Sequence, residues 1–123
     1  MNNSPLFIQL LERLLNQKIQ KFKHKDLNSD TVDELYFVIK EAVFDLFKKC
    51  DFDLTEKSKT FVASRLFRGL TFNGREDLLA EHFHSRNADI TKLPEDDLRL
   101  LKQLMVASAM EEDIDKELRR RSY

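Results

Sequence analysis

Residues 32–47, VDELYFVIKEAVFDLF, decide the fold of this chain. Their large apolar side chains recur every three or four positions, which is the spacing of an α-helix and not the alternation of a β-strand. Charged side chains form only a narrow stripe, which is typical of a helix that is packed on most sides. The pattern predicts a central helix over residues 31–50, with Ser29 or Asp30 as its N-cap.

Helical patterns also flank this segment. Ser4 and Pro5 suit the start of a leading helix, as cap and first-turn residue. We predict five helices, over residues 5–23, 31–50, 56–70, 74–86 and 94–120. The second half of the last helix carries few large apolar side chains, so we expect this long helix to project partly from the others. Residues 1–123 are therefore predicted to form one domain, an all-α bundle.

The composition of the 123 residues excludes several other classes of protein. Two glycines and two prolines cannot supply the turns of many short strands. No apolar run approaches the roughly 18–20 residues that cross a membrane. A single cysteine, Cys50, leaves no disulfide framework and fits a reducing compartment. Because the first residues also lack the pattern of a signal peptide, we expect a cytoplasmic protein.

Phenylalanine is common, with ten residues, and six of them match inward helix positions. These six are Phe37, Phe44, Phe47, Phe61, Phe67 and Phe83. Core packing explains such a set more simply than a cofactor pocket or a surface that stacks on bases. We therefore expect no cofactor.

The leading helix carries more apolar surface than an outer helix of a bundle needs. Its apolar arc covers nearly half of the helix circumference over the first three turns. Exposed apolar patches larger than a few hundred Å² are uncommon on monomers, so we expect the surplus to meet a second copy of the chain or another protein. The residues predicted to form this partner interface are Leu6, Phe7, Leu10, Leu11 and Leu14.

Charge is strongly segregated although the net charge is only -1. Residues 57–75 hold five basic residues and no acidic one. Lys57, Arg65 and Arg68 fall within about 80° of one another on a helix. Arg75 follows at the start of the next predicted helix. This basic face is expected to contact phosphate groups or an acidic protein, unless it is a solvated face that balances the acidic segments around it.

The chain ends in a second basic cluster, Arg119 to Arg121. Cations are favoured at the C-terminus of a helix, and Asp115 and Glu117 lie four residues before Arg119 and Arg121. We therefore expect ion pairs within the helix here, in preference to contacts with nucleic acid.

Residue spacing assembles no catalytic or metal-binding constellation. The segment that begins at Asp51 lacks the glycine and the glutamate that the sixth and twelfth positions of a calcium loop require. His82 and His84 are two residues apart and would point about 200° apart on a helix, so they cannot share one ion. Nothing in the spacing places a histidine beside Cys50. We expect neither a metal site, nor a catalytic residue, nor a small-molecule substrate.

The sequence therefore predicts a non-enzymatic helical module for protein interaction or regulation, which acts as an oligomer or on a protein partner. The alternative is a nucleic-acid-associated regulatory protein that uses the basic face of residues 57–75. A binding titration at two salt concentrations separates the two, because contacts with phosphate weaken steeply as salt rises.

Overall fold

The computed structural model of the chain describes residues 4–22, 28–68, 89–106 and 108–122. These residues contain α-helices and no strand, which confirms the predicted all-α bundle. The helices are α1 (Ser4–Ile19), α2 (Ser29–Lys49), α3 (Glu56–Arg68), α4 (Glu95–Leu104) and α5 (Ala109–Arg121). Short 3-10 turns follow α1 at Gln20–Phe22 and precede α4 at Ile90–Lys92. The helix predicted over residues 74–86 lies outside the described residues.

Helix α2 begins two residues earlier than predicted, and Asn28 is its cap. The Asn28 side chain accepts a hydrogen bond from the Thr31 backbone N–H at 3.0 Å. The Thr31 hydroxyl accepts one from the Asn28 backbone N–H at 2.7 Å. The prediction of Ser29 or Asp30 was wrong because Asn28 and Thr31 close a reciprocal capping box before either residue is reached.

The core lies around α2, which packs against α1 and against α3. Helix α4 packs against α1 and α5. The buried side chains of α1 are spaced four residues apart, so they form one ridge along the helix. They are Phe7, Leu11, Leu15 and Ile19.

The phenylalanines show that α2 has an outward side in addition to the two sides that pack against α1 and α3. Of the six predicted to point inward, Phe47, Phe61 and Phe67 are fully buried, and Phe83 lies outside the described residues. Phe44 is half-buried. Phe37 is 58% exposed, so its predicted inward position was wrong. It is two residues from the buried Ile39 and therefore points about 160° away from it around the helix.

The long helix predicted over residues 94–120 is two helices. Helix α4 ends at Leu104, and α5 begins at Ala109. The Met105 carbonyl closes the turn, because it accepts hydrogen bonds from the Ser108 backbone N–H at 3.0 Å and from the Ser108 hydroxyl at 2.6 Å. Helix α5 thus packs back on α4 and does not project, and its Ile114 is fully buried.

A buried carboxylate joins α4 to the start of α3. Asp97, in the first turn of α4, accepts hydrogen bonds from the Thr55 backbone N–H at 3.0 Å, the Thr55 hydroxyl at 2.7 Å and the Ser58 hydroxyl at 2.6 Å. Burial acts to raise the pKa of Asp97, but the hydrogen bonds from Ser58 and Thr55 together outweigh it and lower the pKa. The side chain therefore stays charged in the fold, and it fixes α4 against α3.

Candidate protein-interaction groove

Helices α1 and α2 run antiparallel and border a groove. Phe7, near the start of α1, contacts Phe47, near the end of α2, with 5.1 Å between the ring centroids. The groove has a volume of about 1080 Å³ and follows α2 from Glu34 to Lys49. At 1.5 Å per residue this is about 22 Å, or roughly four turns of helix. The groove is therefore long enough to hold a helical segment.

Apolar side chains form the floor of the groove. Leu14 of α1 and Val38 and Ala42 of α2 line its length. Leu14 and Val38 are only partly buried, although both pack against the core. Phe22 and Phe52 line it at its two ends. The floor thus keeps apolar atoms in contact with solvent, and a partner helix can cover them.

Exposed hydrophobic side chains border the same groove. Among the described residues, two of the three exposed large hydrophobic side chains are Leu10 and Phe37. Leu10 is 37% exposed and lies one turn before Leu14 on α1. Phe37 lies between Glu34 and Glu41 on the surface of α2, and both of these glutamates line the groove. We call this surface, with Leu10 and Phe37 at its borders, the α1–α2 groove.

The two sides of the groove carry opposite charges where α1 ends. Lys18 and Lys21 lie on the α1 side there, and Glu34 lies on the α2 side, with Glu41 two turns further along α2. All four side chains are exposed. Both signs occur at the other end, in Lys48, Lys49, Asp51 and Asp53. A partner that fits the groove must therefore offer both acidic and basic side chains around an apolar stripe.

The five residues predicted for the partner interface differ in how far their side chains are buried. Phe7 and Leu11 are buried in the core of this one chain, so the expectation that they face a partner is corrected. They belong to the ridge of side chains with which α1 packs against the core. The apolar arc of α1 is so wide that the sequence does not show which of its residues form this ridge. Leu14 lines the groove and is only partly buried, and Leu10 is exposed one turn before it on α1. The Leu6 side chain lies outside what the structure describes.

The predicted basic face is not assembled by the described residues. Lys57 is exposed. The Arg65 guanidinium, in contrast, donates to the Asp113 carboxylate at 2.8 Å and so ties α3 to α5. The Arg68 side chain and Arg75 lie outside what the structure describes. Of the basic residues in 57–75 that the structure describes, Lys57 is therefore exposed, Lys59 is half-buried with its Nζ 5.5 Å from the Phe44 ring centroid, and Arg65 is held in an ion pair.

The arginines near the C-terminus form ion pairs within α5, as predicted. Glu117 accepts hydrogen bonds from Arg120 at 2.7 Å and from Arg121 at 2.8 Å. The Arg120 and Arg121 guanidinium groups lower the pKa of Glu117 to about 2. Arg121 also donates to the Thr91 carbonyl at 3.0 Å, which fastens the end of α5 to the turn before α4. This cluster is explained by its structural contacts.

One signal in the sequence pointed to the groove and was missed. Glu34 and Glu41 are about two turns apart on the outward side of α2, and Phe37 lies between them. An apolar residue whose neighbours at i−3 and i+4 are both carboxylates belongs to the polar side of a helix. The nearly continuous apolar run around it concealed this position.

No protein-family model, no curated protein and no solved structure matches the chain. In the part of the chain that the structure describes, no three histidine, cysteine, aspartate or glutamate side chains are grouped to hold a metal ion. No helix of that part is long and apolar enough to cross a membrane.

Proposed function

We propose that this protein is a non-enzymatic, cytoplasmic interaction module that binds a helical segment in the α1–α2 groove. The observation that carries the proposal is the placement of exposed apolar side chains. Leu10 and Phe37 are exposed beside a groove whose floor, at Leu14 and Val38, is only partly covered. Exposed apolar side chains that adjoin a groove are a mark of protein-interaction sites.

The shape and charge of the groove favour a helix as the bound element. Four turns of a helix can lie along its length, with apolar residues at i, i+3, i+4 and i+7 against the floor. The mixed charges of Lys18, Lys21, Glu34 and Glu41 then select a partner with both signs on its polar side.

The alternative, a nucleic-acid-associated regulatory protein, has less support. It relied on Lys57, Arg65, Arg68 and Arg75 as a basic face. Arg65 already forms an ion pair with Asp113 within the bundle. Among the described residues, five basic and five acidic side chains line the groove, so these present no net positive charge to phosphate groups.

A capture experiment with a matched pair of variants tests the proposal. The full chain is immobilised as wild type, as Leu14→Lys and as Asn16→Lys, and is exposed to lysate of its native cell with and without nuclease treatment. Leu14 lines the groove, whereas Asn16 is exposed on the polar side of α1. Both variants add the same charge to the same helix, and circular dichroism verifies that both are folded.

We expect wild type and Asn16→Lys to capture the same proteins, which include the chain itself. The amount of protein that Leu14→Lys captures should be lower by at least about 90%, which corresponds to a tenfold weaker affinity when the immobilised chain is far from saturated. Equal capture by all three would refute the role of the groove. Capture that nuclease abolishes would support the nucleic-acid alternative instead.

A further inference from the structure

We infer that the partner is a second copy of this chain, related by a two-fold axis parallel to α1 and α2, so that the α1 and α2 helices of each copy cover the α1–α2 groove of the other. The inference rests on the proposed function and specifies its partner. It follows from the order of charged and apolar side chains along the two helices, which makes the surface complementary to itself.

The contact between Phe7 and Phe47 sets the heights of side chains along the two antiparallel helices. At 1.5 Å per residue, Leu14 lies about 10 Å from this contact along α1, and Val38 lies about 14 Å from it along α2. By the same count, Lys18 lies about 16 Å from it and Glu34 about 20 Å. Leu14 and Val38 thus lie within about 3 Å of one height, and Lys18 and Glu34 lie within about 3 Å of the next. Glu41, about 9 Å from the contact, lies at the height of Leu14 and borders the apolar pair.

A two-fold axis parallel to the helices places α1 of each copy on α2 of the other at the same height. Leu14 then meets Val38 of the second copy, and Lys18 meets Glu34 of the second copy. Each contact occurs twice. An axis across the helices would instead bring Glu41 close to Glu41 of the other copy, and such a like-charge contact is unfavourable.

The size of the surface predicts a weak dimer. Helix α1 has 16 residues and is therefore about 24 Å long, and two adjacent helices are about 20 Å wide. Each copy would thus contribute roughly 500 Å², which places the total near the lower limit of about 1,000 Å² for specific interfaces. We expect a dissociation constant in the micromolar range.

Two charge-reversed variants test the arrangement by sedimentation equilibrium of the full chain. One is Lys18→Glu with Lys21→Glu, and the other is Glu34→Lys with Glu41→Lys. We expect the wild type to dimerise and each variant to dimerise at least about tenfold more weakly. An equimolar mixture of the two should regain affinity to within about threefold of wild type, because each variant then meets its complement. The control Arg13→Glu, on the polar side of α1, should dimerise as the wild type does.

A wild type that stays monomeric to about 500 µM would overturn the second copy as occupant, whereas the groove as a site for another protein would still be decided by the Leu14→Lys capture experiment. A dimer that neither reversal weakens would overturn the placement at this groove. A mixture that stays monomeric would overturn the two-fold arrangement.

Discussion

Replacing Asp97 with alanine should destabilise the fold far more than the same change at its neighbour Asp96. Asp97 accepts three hydrogen bonds from Thr55 and Ser58, whereas Asp96 is exposed. Both carboxylates lie in the first turn of α4 and interact similarly with the helix dipole. The difference between the two variants therefore isolates the contact between α4 and α3.

The size of the expected destabilisation follows from the hydrogen-bond donors of Thr55 and Ser58 that Asp97→Ala leaves without their acceptor. Each hydrogen bond to a charged acceptor contributes about 1.5–3 kcal/mol, and the contributions are not additive. The Thr55 and Ser58 hydroxyls keep each other as partners, at 3.2 Å, so part of the loss is recovered. We expect Asp97→Ala to lower the free energy of unfolding by about 3 kcal/mol. Asp96→Ala should lower it by about 0.5 kcal/mol.

Urea unfolding followed by circular dichroism measures this difference. With an m value of about 2 kcal/mol/M, 3 kcal/mol lowers the midpoint by about 1.5 M. Ser58→Ala removes one of the three donors and should fall between the two variants. Midpoints of Asp97→Ala and Asp96→Ala that agree within about 0.25 M would refute this reasoning.

Three further predictions concern the cap, the carboxylates and the aromatic residues. Asn28→Ala should cost about 1 kcal/mol in a urea titration, because it removes half of the capping box; an unchanged midpoint would show that the box adds no stability. The pKa values of Asp97 and Glu117 are lowered in the fold. The part of the free energy of unfolding that these two carboxylates contribute is therefore complete above about pH 4.5 and is lost as the pH falls toward 2. Urea midpoints measured from pH 7 to pH 2.5 should show this fall, and Glu117→Gln should flatten it; equal slopes for both proteins would contradict the assignment. Phe47→Ala should cost about 3–5 kcal/mol because its ring is fully buried, whereas Phe37→Ala should change stability by less than about 1 kcal/mol; thermal unfolding that ranks them in the opposite order would contradict the burial of these two rings.

Periodicity alone was sufficient to predict α2, because nearly every turn of its sequence carries large apolar residues. The break between α4 and α5 had a signal that this reading missed. In one straight helix, Met110 and Ile114 would lie about 180° around from Leu101 and Met105, so a single helix would bury opposite sides in its two halves. A turn resolves this conflict, and both halves then face the same core.

The groove was less predictable from the sequence, since it depends on how helices pair. Phe7 and Leu10 are both large and apolar, and the composition of α1 does not distinguish them. The contacts of α1 with α2 and α4 place Phe7 inward and leave Leu10 at the groove. Likewise, Asp97 resembles any acid in a first helical turn until α3 is packed beside it. Both assignments require tertiary contacts, which local patterns do not encode.

The second copy as the partner at the α1–α2 groove is tested most directly by methyl NMR of the full chain over a range of protein concentration. The methyl signals of Leu10, Leu14 and Val38 should shift together and follow one dissociation constant as the groove is filled. Val106 is the internal control, because it is exposed to the same 37% as Leu10 but lies in the turn after α4. We predict shifts at the three groove residues and none at Val106. Shifts at Val106 with constant signals from the groove residues would contradict the account.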